Sequence, residues 1–161
     1  MESLHAPWRI EYILAPKPAA AESVFTRIAQ SSEDEDNYVI ARDRTCYAVL
    51  NSYPYNGGHL LIVPYKQVSD FRGLTDGEML DLMKLTVRCQ EALTKTMKPD
   101  GFNIGINIGK VAGAGILEHL HIHIVPRWNG DTNFMPVLAS TTVVPQALRE
   151  LAAVLRKALQ P

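Results

Sequence analysis

Cysteine is scarce: Cys46 and Cys89 are the only two in 161 residues, far apart and each in apolar surroundings. That excludes a disulfide-built secreted scaffold, and the pair reads as small buried hydrophobes in a reducing compartment. Net charge is also small, −1 at pH 7. The chain therefore lacks the basic excess on which nucleic-acid or membrane-surface binding draws. No apolar run approaches the roughly 18–20 residues needed to cross a bilayer. Met1-Glu2-Ser3-Leu4 has neither the basic start nor the apolar core of a secretory leader. The expectation is a cytoplasmic chain with no nucleic-acid or membrane partner. A phosphate-binding P-loop is missing too. The nearest stretch, Gly105-Ile106-Asn107-Ile108-Gly109-Lys110-Val111, is too short in its spacing and puts valine where Ser or Thr is required.

What remains is an ordinary globular composition, 47% hydrophobic and 20% charged. With no repeat or linker to divide it, the chain reads as one domain spanning residues 1–161. Residues 1–20, broken by Pro7, Pro16 and Pro18 around an apolar-aromatic run, read as an irregular segment packed on the domain or on a partner subunit. A short helical turn is expected over Glu22 to Ala29, then a solvated acidic loop at residues 31–36. Tyr38 to Arg42, Thr45 to Asn51 and His59 to Val63 read as strands, with the Asn56-Gly57-Gly58 turn before the third. Tyr47, Val49 and Asn51 share one face of the second strand; His59, Leu61 and Val63 share one face of the third.

Thr75 and Glu78 have capping-box spacing and open the longest helix. Its apolar stripe is wider than one packing face requires, which predicts a buried helix or, alternatively, a subunit contact. Phe102 to Gly109 alternates strictly: Phe102, Ile104, Ile106 and Ile108 form an apolar face, and Asn and Gly the other. A last helix is expected from Pro145, with Leu148, Leu151, Ala152, Leu155 and Leu159 in one stripe and Arg156 and Lys157 at its carbonyl end.

The densest signal is His119-Leu120-His121-Ile122-His123-Ile124-Val125. Read as a strand, it puts three imidazoles on one face and Leu120, Ile122 and Ile124 on the other. Antiparallel pairing with Phe102–Gly109 would merge the histidine face with the Asn/Gly face. Two chemistries fit. Three imidazoles can hold a transition metal, although no cysteine and only Glu118 and Asp131 lie nearby. Alternatively, an imidazole with an ordinary pKa of ~6.5 is mostly neutral at pH 7 and can attack phosphorus while a neighbour donates to the leaving oxygen. Packing all three in a core would demand a partner for each.

The His-φ-His-φ-His-φ-φ pattern (φ hydrophobic) resembles the histidine triad family of nucleotide hydrolases and transferases. Flanking stretches at Ala6–Ile13 and Pro126–Phe134 resemble its branch of diadenosine tetraphosphate phosphorylases and related hydrolases. The resemblance implies an α+β, HIT-like fold: a five-stranded antiparallel sheet with a long helix and a C-terminal helix, the sheet extended across a homodimer. It also implies a nucleotide substrate, cleaved at a phosphoanhydride through a nucleotidyl-histidine. His121 would be the nucleophile, His123 would contact the phosphate and leaving-group oxygen, and His119 would orient its neighbours with help from His59. Asn51 would bind ribose, Val49 and Leu61 would line the base pocket, and Asn107 would reach the phosphates. Relatives often carry Gln followed by Ser or Thr before the triad; here backbone amides of the Gly113 and Gly115 loop would serve instead. A Cys-x-x-Cys zinc pair of many relatives is replaced by Ser23 and Thr26, and the later zinc histidine by a position near Thr45, so no metal and no cofactor is expected. Phosphorolysis, phosphoramidase activity and a non-catalytic nucleotide sensor are the alternatives the pattern leaves open.

Overall fold

The computed structural model describes residues 22–131 and 147–160. The expectations for residues 1–20 and for Pro145 lie outside them. Five strands form one antiparallel sheet: β1 (Val39–Arg42), β2 (Cys46–Leu50), β3 (Leu60–Pro64), β4 (Gly101–Ile106) and β5 (Ile122–Arg127). Their order is β1-β2-β3-β5-β4, so the triad strand is internal, between β3 and the edge strand β4. Short turns set the first three strands, whereas the long helix intervenes before β4 and β5. This is the expected α+β fold.

Side-chain alternation divides the sheet into two faces. Cys46, Ala48, Leu50, Leu60, Ile62, Leu120, Ile122 and Ile124 pack beneath α2 (Asp76–Met97) and α3 (Leu148–Leu159). Val39, Tyr47, Val49, Leu61 and Val63 form the opposite face with Phe25 of α1 (Val24–Gln30). Both thiols are buried, and burial pushes Cys46 and Cys89 up to about 12, which keeps them unreactive. The expected capping box opens α2: Glu78 N–H donates to Thr75 Oγ1 and Thr75 N–H to the Glu78 carboxylate. Among the described residues no helix is long and apolar enough to cross a membrane.

Three local expectations are corrected. The long helix is not buried all round: Leu80, Met83 and Val87, one stripe at i, i+3 and i+7, are each at least half exposed. Strand β4 stops at Ile106, and Ile104 and Ile108 stand exposed, no further strand or helix among the described residues covering that edge. The strand containing the triad starts at Ile122 rather than at His119. Beyond the Ile62–Ile122 pairing β3 runs out in Pro64, which has no N–H to offer, and β4 has already ended. Leu120 N–H turns instead to the Val68 carbonyl at 2.6 Å. Arg156 and Lys157 stand in the last turn of α3 as expected, and Arg156 also donates to Val39 O and Asp34 O, which ties α3 to β1.

Candidate active site

Strand register builds the floor of the site. Val49 pairs with Leu61, Leu61 with His123, and His123 with Gly105, giving one row of side chains across four strands. Over this row, α1 leans Phe25 and Ile28 inward, and the 113–116 loop closes the other wall with Gly113, Gly115 and Ile116. His121, His123, Val49, Asn51 and Leu61 complete the cleft, so most of the site residues expected from sequence converge there. Asn107 does not: it follows the end of β4 and is not among the lining residues. Phe25, Ile28, Asn37, Tyr53 and Ile116 were not expected in the lining. The i, i+3 spacing of Phe25 and Ile28 behind a serine N-cap was the signal for the first two.

Hydrogen bonds fix the tautomers. A carbonyl can only accept, so His121 Nδ1, 2.9 Å from His119 O, carries its proton, and Nε2 is left as a bare lone pair. His59 Nδ1 accepts the Tyr55 backbone N–H at 3.1 Å and the Asn51 amide at 3.3 Å. His59 Nε2 therefore carries the proton and donates it to His123 Nδ1 at 2.9 Å. That in turn places the proton of neutral His123 on Nε2. The two cleft imidazoles, 4.8 Å apart between ring centres, are thus opposite in kind: Nε2 of His121 is an acceptor nitrogen, and Nε2 of His123 is an N–H, itself buried. Tyr55 stacks on the His59 ring at 4.8 Å, an aromatic partner that sequence reasoning missed.

His119 stands apart from the cleft. Its ring is fully buried, Nε2–H donates to Pro64 O at 2.8 Å, and nothing among the described residues donates to Nδ1. It touches His121 through its backbone carbonyl, while His59 pairs with His123 and not with His119. Asn51 also has its amide engaged, with Oδ1 accepting Tyr53 N–H at 2.9 Å. Burial is the leading cause that depresses both His119 and His121 below the ordinary imidazole value. His121 is consequently held neutral at physiological pH, the state in which its lone pair is available.

Ser23 and Thr26 bond the Gln67 carboxamide. Thr45 bonds Asp81 on the opposite face of the sheet and is not near them. Among the described residues no group of three or more His, Cys, Asp or Glu is placed to hold a metal ion.

Comparison with known proteins agrees with this geometry. The HIT domain family model matches residues 32–130. The AP-4-A phosphorylase of Mycobacterium tuberculosis is 44% identical over 158 residues, spanning 93% of this chain and 80% of that protein. A bis(5'-nucleosyl)-tetraphosphatase (asymmetrical) of Schizosaccharomyces pombe is 33% identical over 93 residues, 58% of this chain and 50% of that one. Among solved structures, a zinc-bound histidine triad family protein from Mycobacterium smegmatis superposes with a TM-score of 0.69 at 28% identity, covering 86% of this chain and 93% of its own. This chain belongs to the HIT domain family.

Proposed function

We propose that this chain cleaves a phosphoanhydride of a dinucleoside polyphosphate, with inorganic phosphate as the acceptor. The observation that carries the reading is the tautomer pair on two rings that line the cleft: an unprotonated His121 Nε2, and beside it a His123 whose proton sits on a buried Nε2. His121 Nε2 attacks the α-phosphorus, the new P–N bond forms, and the P–O bond to the leaving nucleoside polyphosphate breaks. The leaving group departs as a stable anion, so His123 supplies a hydrogen bond to the developing charge and needs to give up no proton. The His119 carbonyl, bonded to Nδ1–H, stabilises the imidazolium of the nucleotidyl-histidine. Phosphate then attacks the same phosphorus, the P–N bond breaks, and a nucleoside diphosphate is released. Val49, Leu61, Phe25, Ile28 and Ile116 give an apolar slot of the kind a purine fills, and Gly113 and Gly115 keep the facing wall without side chains where the phosphates would lie; Gly113 N–H is already given to Lys110 O, against the amide role expected of it. Asn51 acts first on His59 and offers the ribose at most a shared amide; Asn107 is left no direct part.

Phosphate rather than water as acceptor is supported by the likeness to the AP-4-A phosphorylase. Diadenosine tetraphosphate incubated with the protein is expected to yield ADP and ATP only when phosphate is added. AMP and ATP, formed with or without phosphate, would instead identify a hydrolase. The two buried free thiols support a reducing, cytoplasmic setting for the same reading.

A homodimer is part of the proposal. One flank of α2 is occupied, with Asp81 bound to Arg44 and Thr45, Arg88 to Asp43, and α3 packed alongside. The opposite flank carries exposed Leu80, Met83 and Val87 and lies toward β4, whose free edge exposes Ile104. A second copy related by a two-fold axis would cover both and continue the sheet. Met83→Arg is expected to convert a dimer into a monomer in sedimentation velocity, and a wild-type protein that sediments as a monomer excludes the arrangement.

A further inference from the structure

We infer that Gln67 is a positioning residue for the nucleophile: its carboxamide clamps α1 so that Phe25 covers His121. The inference rests on the proposed role of His121 and adds a residue remote from the cleft. In a capping box the side chain three positions into the helix accepts the N–H of the N-cap residue. Here Ser23 is the N-cap, its Oγ accepts Phe25 N–H, and the residue at that third position is Thr26, which cannot reach back as Glu or Gln would. Gln67, 44 residues away from Ser23, takes over. Its Oε1 accepts Ser23 N–H at 2.9 Å and Thr26 Oγ1–H at 2.9 Å. The backbone N–H can only donate, which identifies the receiving atom as oxygen.

Gln67 sits in a segment that also holds the triad. Pro64 O accepts His119 Nε2–H and Val68 O accepts Leu120 N–H. Within five residues the chain thus fixes the His119 ring, the Leu120 backbone and the start of α1. Between these anchors lies the Phe25 ring, 5.5 Å from His119 and 5.1 Å from His121, centre to centre. Four further bonds, from two side chains, support α1: Tyr47 Oη–H to Phe25 O, and Arg42 to the carbonyls of Ile28, Ala29 and Ser31. Tyr47 holds the Phe25 carbonyl itself, and Gln67 alone among these holds the N-cap residue, two positions before Phe25. A helix of seven residues has little stability of its own, so its position is set by these tethers.

The consequence is electrostatic as well as steric. Phe25 excludes water from His121, and desolvation is what holds that imidazole below its ordinary value. The ionisable groups around it are His119 and His123 on its own stretch and His59 just before β3. Arg27 on α1, Lys110 before the glycine loop and Glu118 are solvent-exposed. Releasing the clamp admits water, the imidazolium becomes better solvated, and His121 titrates at higher pH.

The test follows the His121 ring by NMR across pH and measures AMP affinity by calorimetry, neither of which needs turnover. Gln67→Leu, which keeps size and removes both acceptors, is expected to raise the His121 midpoint and weaken AMP about tenfold. Gln67→Glu keeps an acceptor for both donors and should restore wild-type values. Thr26→Val, losing one bond, should move both readouts the same way by less, and it serves the purpose if Gln67→Leu does not fold. Wild-type titration and affinity in a folded Gln67→Leu or in Thr26→Val, or failure of Gln67→Glu to rescue, overturns the inference. A wild-type protein inert toward dinucleoside polyphosphates would defeat the proposed activity and leave this comparison readable.

Discussion

Turnover of diadenosine tetraphosphate by the His121→Ala variant is expected to fall about a thousandfold or more, with the affinity for AMP little changed. The substitution removes the one nitrogen that the tautomer pattern leaves bare on the cleft, Nε2. It leaves in place the apolar slot formed by Val49, Leu61 and Phe25 and the glycine loop opposite. Binding and chemistry therefore separate: kcat collapses while the nucleotide still enters. A covalent intermediate gives a second readout. A phosphorus–nitrogen bond survives alkali, so label from an adenine-labelled substrate should remain on alkali-denatured wild-type protein and be absent from the variant. Unchanged turnover in His121→Ala would remove the nucleophile from the scheme, and with it the reason for the neighbouring imidazoles' opposite polarities.

The triad's importance was legible because a strand has a period of two and three histidines were spaced by two. The same arithmetic correctly separated Val49 and Leu61 from Leu50 and Leu60. It also aligned the Asn/Gly face of β4 with the histidine face, since Gly105 does pair with His123. Periodicity states which residues share a face, but not whether anything covers it. Leu80, Met83 and Val87 were for that reason assigned to a buried helix, when only one face of α2 meets the sheet. Roles within the triad were less legible still. His119 has the same spacing as its neighbours, yet a carbonyl at Pro64 captures its ring and takes it out of the cleft. That capture and the Gln67 clamp join residues more than 40 positions apart, and no local pattern encodes such pairings. The missed wall of the cleft has the same cause: the short α1 was foreseen, but the docking that turns Phe25 toward the imidazoles depends on Tyr47, Arg42 and Gln67.

Gly58→Ala should destabilise the fold by about 2–5 kcal/mol, and the position shows how closely the core and the site are joined. Gly58 is buried in the turn before His59, with φ at +77°, a conformation that costs a residue with a Cβ roughly 1–2 kcal/mol. The added methyl group would also stand 2.7 Å from Met97 Sδ and 3.2 Å from both Leu93 Cδ2 and Pro126 Cγ. The methionine tip can swing aside, but the proline ring belongs to β5 and Leu93 is fully buried, so part of the overlap persists at about 1–3 kcal/mol. Relief comes from shifting the turn, and the turn carries His59. Movement there strains the 2.9 Å bond to His123, which sets the proton on the leaving-group side of the cleft. The variant is therefore expected to show a lower urea midpoint and, at temperatures where it is fully folded, slower turnover. Gly105→Ala is the matching control for stability: a Cβ there meets nothing within 4 Å and its φ is not positive, so its midpoint should stay close to that of the wild type. Equal midpoints for Gly58→Ala and the wild type would mean that the turn relaxes without cost, and the link from Met97 and Pro126 through Gly58 to His59 would then be abandoned.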